Sequence, residues 1–211
     1  MSKIMAFSGT HIKNGNIEKA MLLVLDSIGV EYEFIRLAEL NMKQCTACIG
    51  CADDNRCVQD DDVNPILEKI MEADGLIIGA FPTFGSLNAL TKTFIERLFA
   101  LRHNYNYPKG KVAAAVIGGS TRQSALESYF DIYFRQYQQA NYQGALVIDG
   151  AVPCLTCGYG ETCDMSGYLF RFGADAKITP NAFYDFNKDE NAMSEAVKLG
   201  HAIKEHLGGD V

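Results

Sequence analysis

"GLIIGAFPTFGSLNALTKTFIER", residues 75–97, passes from an apolar run through a short break into an amphipathic one. Gly75–Ala80 reads as a strand buried on both faces, because no polar residue alternates with its apolar ones. Leu87, Leu90, Thr91, Phe94, Leu98 and Leu101 then recur along the apolar-leaning side of a helix. A fully buried strand that leads straight into a helix is the building unit of a parallel sheet.

The unit recurs on both sides. "KIMAF" (3–7) reads as a buried strand, and Ile17, Met21, Val24 and Ile28 follow it at helical spacing. "EYEFIRL" (31–37) alternates like a second strand, and a helix over about 63–73 begins after Asp60, Asp61 and Asp62, which offer it N-terminal negative charge. "KVAAAVIGG" (111–119) and "ALVIDG" (145–150) read as the fourth and fifth strands. Leu126, Phe130, Tyr133 and Tyr137 mark the helix between them, and residues 190–206 a last helix. The expected fold is α/β, a doubly wound five-stranded parallel sheet in the order 2-1-3-4-5, within one domain over 1–211. Residues 151–188 form an irregular extension before the last helix. A ligand then sits outside the carboxyl ends of the strands, among the loops after strands 1, 3 and 4.

Composition narrows the partners. The 211 residues carry a net charge of −7 and no Lys/Arg-rich run, which argues against nucleic acid and anionic membrane. "GLIIGAF" (75–81) is far too short to span a bilayer, and the first residues hold no apolar segment of signal-peptide length. The expected location is cytoplasmic, where clustered cysteines bind metal or catalyse more often than they pair.

The first of those loops, "SGTHIKNGN" (8–16), brings glycines, small hydroxyls and an amide to a helix start, which suits a phosphate. It lacks both the dinucleotide and the P-loop fingerprint. In the second, "FPTFGSLN" (81–88), an aromatic residue and backbone amides fit a flat polar ring; the alternative is that Phe84 is core. "GTHIKNGN" resembles the Gly-Ser-Pro-Arg-Lys-x-Gly-Asn-Thr loop of flavodoxin-like FMN reductases. "FPTFGSLNALTKTFIER" resembles their Pro-x-Tyr-x-Gly-Ser…Lys-x-Phe-x-Asp-Arg segment. The compact Cys-x2-Cys-x2-Cys-x5-Cys after the second strand is similar to that of the iron–sulfur flavoproteins.

The resemblance covers roughly residues 1–150. It implies that Ser8, Gly9, Thr10, Lys13, Asn14 and Asn16 hold the FMN phosphate. It sets Pro82, Thr83, Phe84, Gly85, Ser86 and Asn88 around the isoalloxazine, and Gly118, Gly119 and Ser120 over its other side. His11, Ile12, Ile17 and Phe84 depart from the family's Pro, Arg, Thr and Tyr, so a permanent cation and two hydroxyls are lost.

"CTACIGCADDNRC" (45–57) contains Cys45, Cys48, Cys51 and Cys57. Thiolates suit both zinc and iron–sulfur clusters. Zinc knuckles usually pair one Cys-x2-Cys with a distant second pair, whereas three cysteines at x2 spacing are more typical of a [4Fe–4S] cubane. Asp53, Asp54, Asp60, Asp61 and Asp62 read as a solvated loop and a helix cap. A second set, Cys154, Cys157 and Cys163, follows the fifth strand. Four strand steps put it on the order of 19 Å from the first, so these thiols are free or bind a second metal with Asp164, His103 or another subunit.

The leading expectation is an oxidoreductase that passes electrons from the cluster to FMN; the resemblance implies a ferredoxin-like donor and a quinone or other small oxidant as acceptor. The alternatives are an NAD(P)H-dependent FMN or quinone reductase with structural zinc, and a non-enzymatic electron carrier. No side chain is nominated as catalytic, because the reactive atoms belong to the cofactors. Tyr129, Phe130, Tyr133, Phe134 and Tyr137 exceed what one sheet face needs, so a homodimer or homotetramer is expected.

Overall fold

The computed structural model describes residues 2–119, 123–150 and 152–208. In chain order the elements are β1 (Lys3–Ser8), α1 (Asn16–Ile28), β2 (Glu31–Arg36), α2 (Val63–Glu72), β3 (Gly75–Ala80), β4 (Pro82–Thr83), β5 (Ser86–Leu87), α3 (Ala89–Arg97), β6 (Val112–Gly118), α4 (Gln123–Asp131), β7 (Asn141–Ile148), α5 (Gly167–Phe172) and α6 (Glu190–His206). The main sheet is parallel with order β2-β1-β3-β6-β7. This is the expected flavodoxin-like order, with β6 and β7 as the fourth and fifth strands.

Alternation along β1 feeds both faces of the sheet. Met5 and Phe7 pack with α2, α3 and α4, while Ile4 and Ala6 pack with α1 and α6. Phe7 meets Phe94 of α3 at a ring separation of 4.5 Å. β3 and β6 are buried along their whole length, as strands covered by helices on both faces must be.

The structure adds three features to the expected pattern. A two-stranded hairpin, β4–β5, stands between β3 and α3. β7 begins at Asn141 rather than Ala145, because Tyr142 turns inward against Phe134 at a ring separation of 5.2 Å. After α4 the helix widens into a π-helical segment, Ile132–Tyr137. The widening buries the consecutive Tyr133 and Phe134 and leaves Tyr137 exposed, although Tyr137 belongs to the expected apolar face. The surplus of aromatics is therefore largely internal. The exposed large apolar residues of the second half include Tyr159, Met165, Phe170 and Phe172 on the extension. Among the described residues no helix is long and apolar enough to cross a membrane.

Candidate functional site

The loop after β1 is shaped by a buried carboxylate. Glu18, in the first turn of α1, is fully buried and accepts hydrogen bonds from Ser8 Oγ (3.0 Å), the Asn14 amide (2.8 Å) and Arg36 Nε (2.9 Å). Asn14 sits in the left-handed region at φ 55°, and the Gly15 amide closes onto Ile12 O at 3.3 Å. Thr10 is buried and its hydroxyl accepts from the Ile12 amide. Gly9 passes so close to α3 that a Cβ there would stand 1.8 Å from Thr91 Oγ1. Lys13 pairs with Glu39 at 2.6 Å, and that hydrogen bond holds the Glu39 carboxyl below its usual range. The Asn16 amide is bonded at both ends to the C-terminal segment, donating to Tyr184 O and accepting from the Phe186 amide.

Four of the side chains expected at a phosphate, Ser8, Thr10, Lys13 and Asn16, thus have partners inside the protein. What the loop presents is main chain. The first-turn amides of α1 have no intrahelical acceptor, and Gly15 supplies no capping side chain. A helix start of this kind fits an anion.

The hairpin after β3 turns through Phe84 and Gly85, at φ 51° and 76°. Two successive left-handed residues make the tight turn that matches strand twist. Phe84 is fully exposed, which overturns its reading as core. Thr83 and Ser86 are exposed beside it, and Pro82 is half-buried. Asn88 is buried and knits the region together. Its Nδ2 donates to Gly9 O at 2.9 Å and its Oδ1 accepts from Thr91 Oγ1 and the Phe81 amide. The third loop joins these two. A Cβ on Gly118 would meet Ile17 at 2.5 Å, and one on Gly119 would meet Pro82 at 2.8 Å. Ser120 lies outside the described residues. The loops after β1, β3 and β6 therefore converge on one end of the sheet.

The cysteine loop leaves β2 and folds over α3. Asn55, buried and left-handed at φ 61°, donates to Ala100 O and Tyr105 O and fastens the loop there. Cys45, Cys51 and Cys57 are half-buried and Cys48 is exposed; all are free thiols. The Gly50 amide, and then Thr46, hold the Cys48 thiol below its usual range, whereas burial pushes Cys51 up. Ala47 and Ile49 are left-handed, at φ 53° and 60°, with Cys48 between them. Asp61 is not simply a helix-start charge. It accepts from the Val63 and Lys43 amides, and also forms a fully buried ion pair with Arg97. Among the described residues no three His, Cys, Asp or Glu side chains stand in a metal-holding arrangement.

The second thiols lie past β7, at the opposite edge of the sheet from β2. Cys157 accepts from the Tyr159 amide and Cys163 from the Met165 amide, both at 3.4 Å. A hydrogen bond from the Tyr168 amide, then one from the Ser166 hydroxyl, draws the Cys154 thiol below its usual range. His103 packs edge-on against Phe99, near the end of α3.

Residues 2–151 match the family described as NADPH-dependent FMN reductase. The chain belongs to that family. Within it, the chain is an iron–sulfur flavoprotein by likeness to curated relatives. It is 35% identical over 128 residues to the iron–sulfur flavoprotein of Methanosarcina thermophila, covering 59% of this chain and 67% of that one. It is 34% identical over 129 residues to one of Methanocaldococcus jannaschii, covering 60% and 66%. The match thus spans about two thirds of each relative. Among solved structures, RosB with a bound riboflavin phosphate intermediate superposes with a TM-score of 0.61 at 16% identity, over 97% of this chain and 81% of that one. A flavodoxin from the Archaea gives 0.53 at 13% identity, over 99% of each. At such identities these two show the fold alone.

Proposed function

We propose that the chain is an FMN-dependent oxidoreductase whose Cys45, Cys48, Cys51 and Cys57 hold a [4Fe–4S] cluster, while the loops after β1, β3 and β6 hold FMN. When bound, the cluster supplies one-electron exchange and the flavin one- or two-electron chemistry. The chain's own residues hold and orient these groups. The uncapped amides of α1 receive the phosphate, and the exposed Phe84 with Gly118 and Gly119 at the end of β6 flanks the ring.

The observation that carries the cluster reading is the backbone between the cysteines. Left-handed Ala47 and Ile49 alternate with Cys48, and such alternation turns successive amides toward one concave side. Amides aimed inward suit the inorganic sulfide and net negative charge of a cluster. A four-cysteine zinc site carries a similar net charge but no inorganic sulfide, and the run of three cysteines at x2 spacing favours the cluster over it. A ferredoxin-like protein as donor and a quinone or other small oxidant as acceptor complete the proposal. The net charge of −7 favours neither nucleic acid nor membrane as a partner. Cytoplasmic location and a homodimer or homotetramer belong to the same proposal; the exposed Tyr159, Met165, Phe170 and Phe172 support association better than the fourth helix does.

Iron, acid-labile sulfide, zinc and FMN per chain, measured on protein purified without oxygen, test the reading. About four iron and four sulfide with one FMN is the expected result. Zinc without sulfide rejects the cluster and leaves an NADPH-dependent reductase with a structural metal.

A further inference from the structure

The segment 152–188 is folded with little core of its own. It consists of short 3-10 turns, irregular chain and the six-residue α5. Its buried apolar side chains are Leu155, Tyr168 and Phe186, while Met165 and Phe170 stand almost wholly in solvent. A long irregular segment that buries so little apolar surface needs another tie, and small folds take theirs from disulfides or metals. Cys154, Cys157 and Cys163, all within this segment, are free thiols.

The backbone aims amides at two of these sulfurs. Cys157 Sγ accepts from the Tyr159 amide and Cys163 Sγ from the Met165 amide, each donor two residues on and each at 3.4 Å. Gly158 lies between Cys157 and Tyr159 in the left-handed region, at φ 84°, which glycine adopts without strain. It turns the Tyr159 amide back onto the sulfur. A thiol is a weak acceptor, whereas a hydrogen bond to an ionised group is strong, so such amides favour the thiolate. The thiolate is the form that binds metal.

The three cysteines also border one turn. The Cys163 amide donates to Tyr159 O at 2.9 Å, which brings the third cysteine back beside the residue that caps the second. Gly160 runs so close to the first that a Cβ there would stand 2.2 Å from Cys154 O. A Cβ on Gly167, four residues past Cys163, would stand 3.9 Å from Cys154 Sγ. Among the described residues the sulfurs do not stand in a metal-holding arrangement, and neither do the four of the first cysteine loop. Cys157 and Cys163 are exposed and Cys154 is half-buried, so gathering them takes rotation of side chains between staggered wells and no movement of a packed core.

We propose that Cys154, Cys157 and Cys163 bind a zinc ion as three thiolates, with water in the fourth tetrahedral position, and that this ion ties the segment together. Zinc accepts thiolates in tetrahedral geometry, and its binding energy becomes folding energy where the site is not fixed beforehand. The three thiol protons are released to solvent as it binds. The site is separate from the first cysteine loop, because β7 and β2 are opposite edges of the sheet. The segment meets the proposed flavin loops at both ends. A Cβ on Gly150 would stand 2.7 Å from Gly119 Cα, and Tyr184 O and the Phe186 amide hold the Asn16 side chain. The inference does not depend on a cluster at Cys45–Cys57.

The test counts zinc, iron and sulfide in the full chain purified without oxygen, beside the triple variant Cys154→Ser, Cys157→Ser, Cys163→Ser. About one zinc per wild-type chain, lost in the variant with iron and sulfide unchanged, is the expected result. Cobalt added to zinc-stripped protein should likewise give thiolate-to-metal absorption in wild type and none in the variant. Circular dichroism shows whether the variant has folded. Wild-type protein gives a readout that needs no variant: iodoacetamide labelling of the zinc-stripped chain, with and without added zinc, mapped by mass spectrometry. Loss of labelling at all three cysteines on adding zinc is expected. Equal labelling with and without zinc overturns the proposal, as does zinc or cobalt uptake that is the same in wild type and folded variant. About eight iron per wild-type chain, falling to about four in the variant, overturns zinc in favour of a second cluster. Absence of iron and sulfide from wild type defeats the cluster reading alone and leaves the zinc counts to be judged by the variant.

Discussion

Replacing Glu18 with Ala removes the acceptor around which the first loop is built. Three donors converge on this carboxylate: the hydroxyl of Ser8, the amide of Asn14 and the guanidinium of Arg36. Ser8 and Glu18 are both 0% exposed, so the hydroxyl is left buried without a partner. The Arg36 side chain is 27% exposed and keeps some water. Breaking a buried pair costs about 3–5 kcal/mol, and the partial access of Arg36 places this one near the lower limit. In a chain of this size about 3 kcal/mol lowers Tm by roughly 6–12 °C. Urea unfolding monitored by circular dichroism measures the loss directly, and flavin fluorescence measures the accompanying fall in FMN affinity as Asn14 loses its anchor. Glu18→Gln keeps an acceptor for Ser8 and Asn14 but not the charge, and falls between the two. A loss for Glu18→Ala below about 1 kcal/mol, typical of an exposed pair, would refute the burial argument.

Further perturbations probe the other loops. Gly9→Ala forces a Cβ to 1.8 Å from Thr91 Oγ1 and 2.7 Å from Gly79 O, and is expected to cost about 1–3 kcal/mol in urea; an unchanged midpoint would mean that β1 and α3 do not approach this closely. Phe84→Asn relieves a left-handed aromatic residue, so the flavin-free protein gains about 1 kcal/mol while FMN affinity falls. Equal FMN affinity in that variant would remove Phe84 from the ring site. Burial pushes the Asp61 carboxyl up, but the Arg97 hydrogen bond and the Lys43 and Val63 amides outweigh it and hold it below its usual range. A depressed folded value stabilises above the unfolded carboxylate pKa of about 3.9 and is lost as pH falls through the folded one. The stability gap between wild type and Asp61→Asn should therefore be full near neutral pH and shrink in acid; a gap that persists unchanged into acid contradicts the pairing.

The sheet could be read from the sequence because its strands are apolar runs and its helices carry regular stripes. The hairpin β4–β5 could not, because Phe84-Gly85 lacks the Asn-Gly or Asp-Gly signature of a turn with two left-handed residues. The early start of β7 was hidden by the polar residues of Asn141–Gly144, where Tyr142 alone turns inward. Arg97 ends a helix, and a basic residue there reads as a solvated partner of the helix dipole. Only tertiary structure distinguishes it from Lys92, which stays near the surface and pairs with Glu96. Asp61 could be recognised as helix-capping, which it is, but its second role depends on a residue 36 positions away.

The charged groups taken out of water lie at the working loops rather than under the sheet. Among the described residues the buried ion pairs are Glu18 with Arg36 and Asp61 with Arg97. One shapes the loop after β1 and the other closes the cysteine loop. Ser8, Thr10, Asn55, Asn88 and Thr91, buried and polar, lie in or beside the same loops. Buried polar groups need geometrically fixed partners, whereas apolar groups need only volume. A fold that must hold irregular loops in one shape has reason to place its buried polar residues there. The same residues carry no periodic signal, so a pattern of hydrophobicity finds the sheet and passes over what positions the site. Losing Arg97 or Glu18 should accordingly damage one loop more than the sheet: hydrogen exchange would quicken in 40–62 or in 9–15, with β3 and β6 still protected. Uniform loss of protection across the sheet would show instead that these pairs hold up the whole fold.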